Sequence, residues 1–222
     1  MTNSFEEGRM ILVNKPLRWT SADVVKKIRN QVHAKVGHAG TLDPLATGLL
    51  ILCTGKFTKK INEYMLQEKE YTGTFTLGAT TPSYDLETEQ ENLKEYSHIT
   101  PADLEMVSRR FTGEIIQIPP IYSAIKKNGQ RSYDLARQGK AVELKGRKVT
   151  IYAFEMQIQR LPVVRFRVVC STGTYIRSLA HDVGQALGSG AYLSSLCRTR
   201  IGEFRLEDAI DPEKGVIIKT DS

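Results

Sequence analysis

The chain has 222 residues, 41% hydrophobic and 25% charged, which supports one large globular domain or two small ones and excludes a disordered or fibrous chain. Its formal net charge of +6 is a weak pointer to a polyanionic partner, and its 3 cysteines (Cys53, Cys170 and Cys197) are too far apart for a Cys-x-x-Cys pair, so buried thiols in a reducing compartment are expected. No apolar stretch is long enough to cross a bilayer and the opening MTNSFEEGRM lacks a signal-peptide core, so a cytoplasmic protein is expected.

Residues 10–13 form a short apolar run that predicts a strand. After Lys15-Pro16, Thr20-Ser21 reads as a turn and a helix cap, and Val24, Val25, Ile28 and Val32 then recur at helical spacing. Residues 37–48 read GHAGTLDPLATG, and the apolar run 49–52 that follows predicts a buried strand ending at Thr54-Gly55. Residues 56–66 suit a basic helix. In 71–80, Tyr71, Phe75 and Leu77 alternate with threonines, the pattern of a strand with one buried face. The acidic stretch 81–94 reads as a solvated loop without a role. Thr100-Pro101 opens a helix carrying Leu104, Val107 and Phe111 and stopped by Gly113. Ile118-Pro119-Pro120-Ile121-Tyr122 should be extended, because each proline restricts itself and the residue before it. Lys126, Lys127, Arg131, Arg137 and Lys140 follow, mixed with Tyr133 and glycines, a composition shared by mobile phosphate-binding loops and by plain surface hairpins. Residues 148–158 and 163–170 predict paired strands, and Ser171-Thr172-Gly173-Thr174 turns into a helix with Tyr175 and Arg177 in its first turn. Strands and helices mix without a βαβ rhythm, which predicts an α+β fold.

The stretch 37–48 is the one with chemical promise. Pro44 pushes Asp43 towards extended backbone, and Gly37, Gly40 and Gly48 allow tight turns, so one carboxylate and one imidazole, His38, are presented at the edge of a buried strand. By residue type alone, a Gly/Pro turn with a solvated aspartate is the plainer reading. Other chemistries find no support. There is no Gly-x-x-x-x-Gly-Lys-Ser/Thr loop and no Gly-x-Gly-x-x-Gly, His33 and His38 are not spaced for a metal, and no nucleophile elbow is present.

The loop GHAGTLDPLATG resembles the catalytic motif of the TruB family of tRNA pseudouridine synthases. Three further stretches resemble that family in order and spacing: VNKPLRWTS, its Lys-Pro box; QIPPIYSAIKKNGQRSYDLARQG, its Pro-Pro-x-Tyr-Ser-Ala-x-Lys segment with the RNA-gripping loop; and CSTGTYIRSLAHDVG, its Gly-Thr-Tyr-Ile-Arg box. The matches run from about Met10 to Phe204. Two departures stand out. Arg18 occupies a place that usually holds glycine, so the turn could differ there or gain an RNA contact. Nothing after Asp211 is long enough for the C-terminal PUA-type domain of many relatives, so RNA binding is expected to rest on a single catalytic domain over residues 1–222.

The resemblance implies the pseudouridine-synthase fold, with a mixed, mainly antiparallel central sheet flanked by helices and loops. It implies conversion of uridine 55 of the tRNA T loop to pseudouridine, without cofactor or metal, by a monomer that binds the T arm. By similarity Asp43 is the essential carboxylate, Arg177 pairs with it, and Tyr71 stacks on the flipped uracil. Tyr175 and Leu196 line the pocket, His38 stacks where the base leaves a gap, and Lys15 supports the loop or contacts RNA. Lys126, Lys127, Arg131 and Arg137, within a mobile loop over about 124–147, are the expected grip on RNA. Two other classes compete: an RNA-folding factor without chemistry, and a glycosidase, which would need a second acid at a set separation.

Overall fold

The computed structural model describes residues 4–122, 126–127, 130–131 and 144–215. They fall into two compact units. One comprises the chain up to Thr72 and again from Leu196; the other is Gly73–Ser195.

The first unit begins with α1 (Ser4–Glu7), β1 (Met10–Lys15), α2 (Ser21–Val32), β2 (Val36–Ala39), β3 (Ala46–Thr54) and α3 (Ile61–Met65). β4 (Lys69–Leu77) carries the chain into the second unit. That unit holds α4 (Pro101–Phe111), β5 (Gly113–Gln117), the short hairpin β6 (Lys126–Lys127) and β7 (Gln130–Arg131), then β8 (Arg147–Arg160), β9 (Val163–Cys170) and α5 (Ile176–Ala186). β10 (Ala191–Ile201) returns the chain to the first unit, which ends on β11 (Phe204–Arg205) and a short turn of helix.

In the first unit β3 is the organising strand. It pairs antiparallel with β1 and β2, and parallel with β10 through Leu196↔Ala46, Cys197↔Thr47 and Arg198↔Gly48. Both its faces are covered, which is why 49–52 is continuously apolar rather than alternating. Leu50 and Leu52 pack with Val24, Val25, Ile28 and Val32 of α2, while Leu49, Ile51 and Cys53 pack with Ala39 and Ile201. α2 starts where its sequence says. The Thr20 hydroxyl accepts from the Asp23 N–H at 3.1 Å, and the Asp23 carboxylate accepts from the Thr20 N–H at 2.8 Å. Such a reciprocal cap contributes about 1 kcal/mol.

The helix expected over 56–66 is divided. Gly55–Lys60 is a 3-10 helix and only Ile61–Met65 is α-helical. The Thr58 hydroxyl donates to the Gly55 carbonyl at 2.9 Å, a local bond that competes with helix hydrogen bonding.

In the second unit the strand order is β4-β9-β8-β5. β8 pairs antiparallel with both β9 and β5. Tyr71, Phe75 and Leu77 of β4 are buried as the alternation predicts, and Phe75 stacks on Phe166 with centroids 4.1 Å apart. α4 repeats the capping device of α2 with Thr100 and Asp103, and buries Leu104 beside Leu77, Ile99, Val164 and Ala191. The pairings β1–β3, β2–β3, β5–β8, β6–β7, β8–β9 and β10–β11 are antiparallel and β3–β10 is parallel, so the expected α+β fold with a mainly antiparallel sheet is present.

One expectation is corrected in part. Residues 86–94 are exposed apart from the half-buried Thr88, as a solvated loop would be, but the start of the stretch is built into the fold. Thr81, Ser83 and Asp85 are buried. Thr80 and Glu91 close its base by two main-chain hydrogen bonds, at 2.8 and 2.9 Å. Inside it, the Thr81 hydroxyl donates to the Asp85 carbonyl at 2.7 Å, and the Asp85 carboxylate accepts from the Glu87 N–H at 2.9 Å. The buried polar groups Thr81, Ser83 and Asp85 find hydrogen-bond partners within the loop, while Glu87, Glu89 and Glu91 stay exposed.

Candidate active site

In the first unit the turn between β2 and β3 carries Asp43, and its main chain is gripped from three sides. Ser21, the first residue of α2, accepts from the Leu42 N–H at 2.9 Å and donates to the Leu42 carbonyl at 3.3 Å. The Arg18 N–H donates to the Pro44 carbonyl at 2.7 Å, and the Asp43 carbonyl accepts from the Ala46 N–H at 3.0 Å. From β10, Arg198 donates through Nε to the Leu49 carbonyl at 2.8 Å and through Nη2 to the Gly40 carbonyl at 3.1 Å. Gly48 has φ +106° and lies against the Arg198 main chain, so a Cβ there would overlap it. That single contact explains the last glycine of the motif.

Lys15 is fully buried under this turn. Its ammonium donates to the carbonyls of Pro16 at 2.9 Å, Trp19 at 2.6 Å and Pro44 at 3.4 Å, which uses all three of its protons. Burial pulls its pKa down to about 8; the Asp43 charge opposes that shift and Arg198 adds to it. Of the two roles expected for Lys15, these contacts are those of a loop support. Arg18 keeps the turn that glycine usually makes, at φ +68°. His38 lies on β2, partly buried, and burial followed by the nearby Arg198 lowers its pKa, so the ring is neutral at neutral pH. Leu196 sits opposite Ala46 on β10, three residues along from Asp43, and the Thr199 hydroxyl donates to the Glu70 carboxylate at 2.8 Å, which ties β10 to the residue before Tyr71. Lys15, His38, Asp43, Tyr71 and Leu196 thus belong to one unit.

In the second unit α5 begins at Tyr175 and Arg177. The Gln117 side chain brackets the Tyr175 main chain, donating to its carbonyl at 3.0 Å and accepting from its N–H at 2.8 Å. The Ser178 hydroxyl donates to the Ile118 carbonyl at 2.7 Å. The Pro-Pro segment is therefore fastened along the start of the helix. The Arg147 guanidinium lies 4.4 Å from the centre of the Tyr175 ring, a cation–π contact. Arg177 is buried, 4% exposed, despite its place in a first helical turn. Its Nη1 donates to the Tyr122 carbonyl at 2.8 Å and the Ser83 carbonyl at 3.4 Å, and its Nε lies 3.8 Å from the Asp85 carboxylate. A buried guanidinium needs such acceptors, and it finds them at Tyr122 and in the 81–94 loop.

Residues 26–176 match the TruB family pseudouridylate synthase (N terminal domain). The chain is 54% identical over 213 residues to a tRNA pseudouridine synthase B of Flavobacterium johnsoniae, covering 92% of this chain and 93% of that one. The chain belongs to the TruB family. A tRNA pseudouridine synthase B of Phocaeicola vulgatus is 52% identical over 217 residues, covering 95% and 92% of the two chains. Among solved structures, a chain of a Cbf5-Nop10-Gar1 complex superposes with a TM-score of 0.70 at 32% identity, over 90% of this chain and 50% of that one. One from an H/ACA RNP bound to a substrate RNA containing 2′-deoxyuridine gives 0.69 at 29% identity, over 94% and 52%. This TruB-family chain thus spans about half the length of those solved chains.

Of the residues expected to grip RNA, Lys126, Lys127 and Arg131 have their main chain in the β6–β7 hairpin, and Arg137 lies outside the described residues. Among the described residues no group of three or more His, Cys, Asp or Glu side chains could hold a metal, and no helix is long and apolar enough to cross a membrane. Sequence reasoning gave no site role to Asp85, Gln117 or Arg198, read Ser21 only as part of a helix cap, and took Arg147 as the end of the loop expected to grip RNA. Arg198 and Gln117 carry no local signal, because their partners are more than fifty residues away. Asp85 was hidden by its acidic neighbours, which made the whole stretch read as solvated.

Proposed function

We propose that this protein isomerises uridine to pseudouridine in tRNA, at position 55 of the T loop. The names of the relatives over most of the chain support tRNA as the substrate. The four matching boxes support the position. The observation that carries the reading is the Asp43 turn. Its main chain is fixed by Arg18, Ser21, Lys15 and Arg198 together, an investment of buried polar groups that a solvated turn does not need.

The target uracil is stacked within the T loop and must be extruded, at a cost of about a few kcal/mol that stacking and hydrogen bonds in the pocket offset. Tyr71 supplies the stacking face, with Tyr175 and Leu196 as walls. Asp43, ionised, starts the reaction as nucleophile or base. The bond from uracil N1 to ribose C1′ breaks and a bond from C5 to C1′ forms. The C5 proton leaves, with the Tyr71 hydroxyl as candidate acceptor, and N1 ends protonated, so no atom is gained or lost. Arg177 orients the carboxylate and favours its charged form. His38, neutral, fills the gap left in the loop. Lys126, Lys127, Arg131 and Arg137 grip the T arm through phosphates, so affinity falls steeply with salt.

The test is tritium release from a T-arm stem-loop labelled at C5 of the target uridine. The natural protein should release tritium. Asp43→Asn should release none while binding the RNA about as well. Release by Asp43→Asn at a near-normal rate would sink the catalytic assignment, and tight binding with no release by either protein would favour an RNA-folding factor.

A further inference from the structure

Two of the groups that hold Arg177, the Ser83 carbonyl and the Asp85 carboxylate, flank Tyr84. Tyr84 has φ +65°, in the left-handed region that a side chain as large as tyrosine seldom adopts. The bend it makes lets a carbonyl on one side and a carboxylate on the other face the same guanidinium. A disfavoured conformation persists only where its surroundings impose it. Here the Tyr84 N–H donates to the Thr81 carbonyl at 3.0 Å, and its carbonyl accepts from the Leu193 N–H at 2.9 Å. The third restraint is the ring, which stacks on His181 with centroids 4.1 Å apart and planes 18° from parallel.

His181 stands four residues after Arg177 on α5, on the same helix face. Burial lowers its pKa, and its Nδ1 is buried without a hydrogen-bond partner among the described residues. An imidazole with a buried nitrogen left unbonded contributes its face more than its polarity. One helix therefore carries both the guanidinium and the platform that fixes the loop holding it.

We propose that the Tyr84–His181 stack is a positioning device for the reaction. It fixes the 83–85 bend against α5 and so sets the direction of the Arg177 guanidinium. The proposal rests on the role given to Arg177 above. Simple packing makes a different prediction: its loss would lower stability and leave the rate of the folded protein alone.

The experiment measures single-turnover pseudouridine formation at saturating RNA, and RNA affinity separately. The proteins are the natural chain, Tyr84→Phe, Tyr84→Leu, Tyr84→Ala, His181→Phe, His181→Ala and the double alanine variant, each checked for folding by thermal melting. The phenylalanine variants keep an aromatic face and should stay within about twofold of the natural rate. Tyr84→Leu fills the space without the face, so it should fold and still lose about tenfold in rate, as should either alanine variant, with Kd unchanged within about twofold. The double variant should lose no more than a single one, since both break one contact. Natural rates for folded Tyr84→Leu and His181→Ala, losses that multiply in the double variant, or losses confined to Kd would each overturn the proposal. Asp43→Asn, run alongside, separates the two readings: if it turns over, the site assignment fails, and if it is inert while Tyr84→Leu is unimpaired, only the stack's role falls.

Discussion

The two units use buried cations in opposite ways. In the first, Lys15 and Arg198 are pinned to carbonyl oxygens so that a loop is held. In the second, a loop is folded around Arg177 so that a cation is held, and that loop supplies a carboxylate as well as a carbonyl. The electrostatics follow. Lys15 is bonded to carbonyls alone, and burial drags its pKa down to about 8 although the Asp43 charge opposes the shift. Arg177 has Asp85 beside it, and its burial is balanced by acceptors. A cation that supports a turn can lose part of its hold on its proton and stay charged at neutral pH; one enclosed beside a carboxylate is held by an opposite charge as well as by dipoles.

The largest test of that contrast removes the balancing anion. Asp85→Ala should cost about 3 kcal/mol in urea unfolding, because it strips a partner from a buried guanidinium. A loss below about 1 kcal/mol would place Asp85 with ordinary surface pairs and end the comparison. Next comes Lys15→Met, which takes the ammonium donor from the Pro16, Trp19 and Pro44 carbonyls and should cost about 2 kcal/mol near pH 7. Its pH dependence sharpens the point. The folded chain releases the Lys15 proton near pH 8, whereas an exposed lysine of the unfolded chain holds it to 10.5, so the natural protein gains stability as pH rises through that window. Lys15→Met has no such gain, and the stability gap should widen between those pH values.

Asp182 offers a smaller effect on the opposite side. Burial raises its pKa from 3.8 to about 6, so its charge weighs on the folded state above pH 6. Asp182→Asn should be more stable than the natural protein by about 1–2 kcal/mol at pH 7, allowing for its partial exposure. That advantage should fade as pH falls from 6 to 3.8, where the carboxyl is protonated in the folded state. An advantage that persists at pH 3.5 would show that charge is not its cause. The smallest change concerns Arg18. Relief of its left-handed backbone and the extra freedom of an unfolded glycine nearly cancel, so Arg18→Gly should alter stability by less than about 0.5 kcal/mol. Arg18→Val, with a β-branched side chain at that φ, should lose more than about 1 kcal/mol.

Much of the scaffold was legible because its signals are local. Thr20 and Asp23 start α2, Thr100-Pro101 and Asp103 start α4, and the alternation of Tyr71, Phe75 and Leu77 names the buried face of β4. The helix expected over 56–66 is present but divided, 3-10 over Gly55–Lys60 and α over Ile61–Met65, with the Thr58 hydroxyl on the Gly55 carbonyl as a local competitor. The acidic stretch departs at its start for a different reason: average polarity describes a segment, whereas burial is decided residue by residue by what lies opposite.

By itself the sequence determined the turn that carries Asp43, since proline and glycine restrict backbone dihedrals wherever they occur. It also determined the strand beside it and the capped helices. Only the tertiary structure decided that Arg198 would grip that turn, because parallel pairing of β10 with β3 joins residues about 150 apart, a choice no local dihedral records. Only it decided that Asp85 would meet Arg177. Charges in water are cheap and nearly interchangeable, and a particular pair matters once folding has removed the solvent from both.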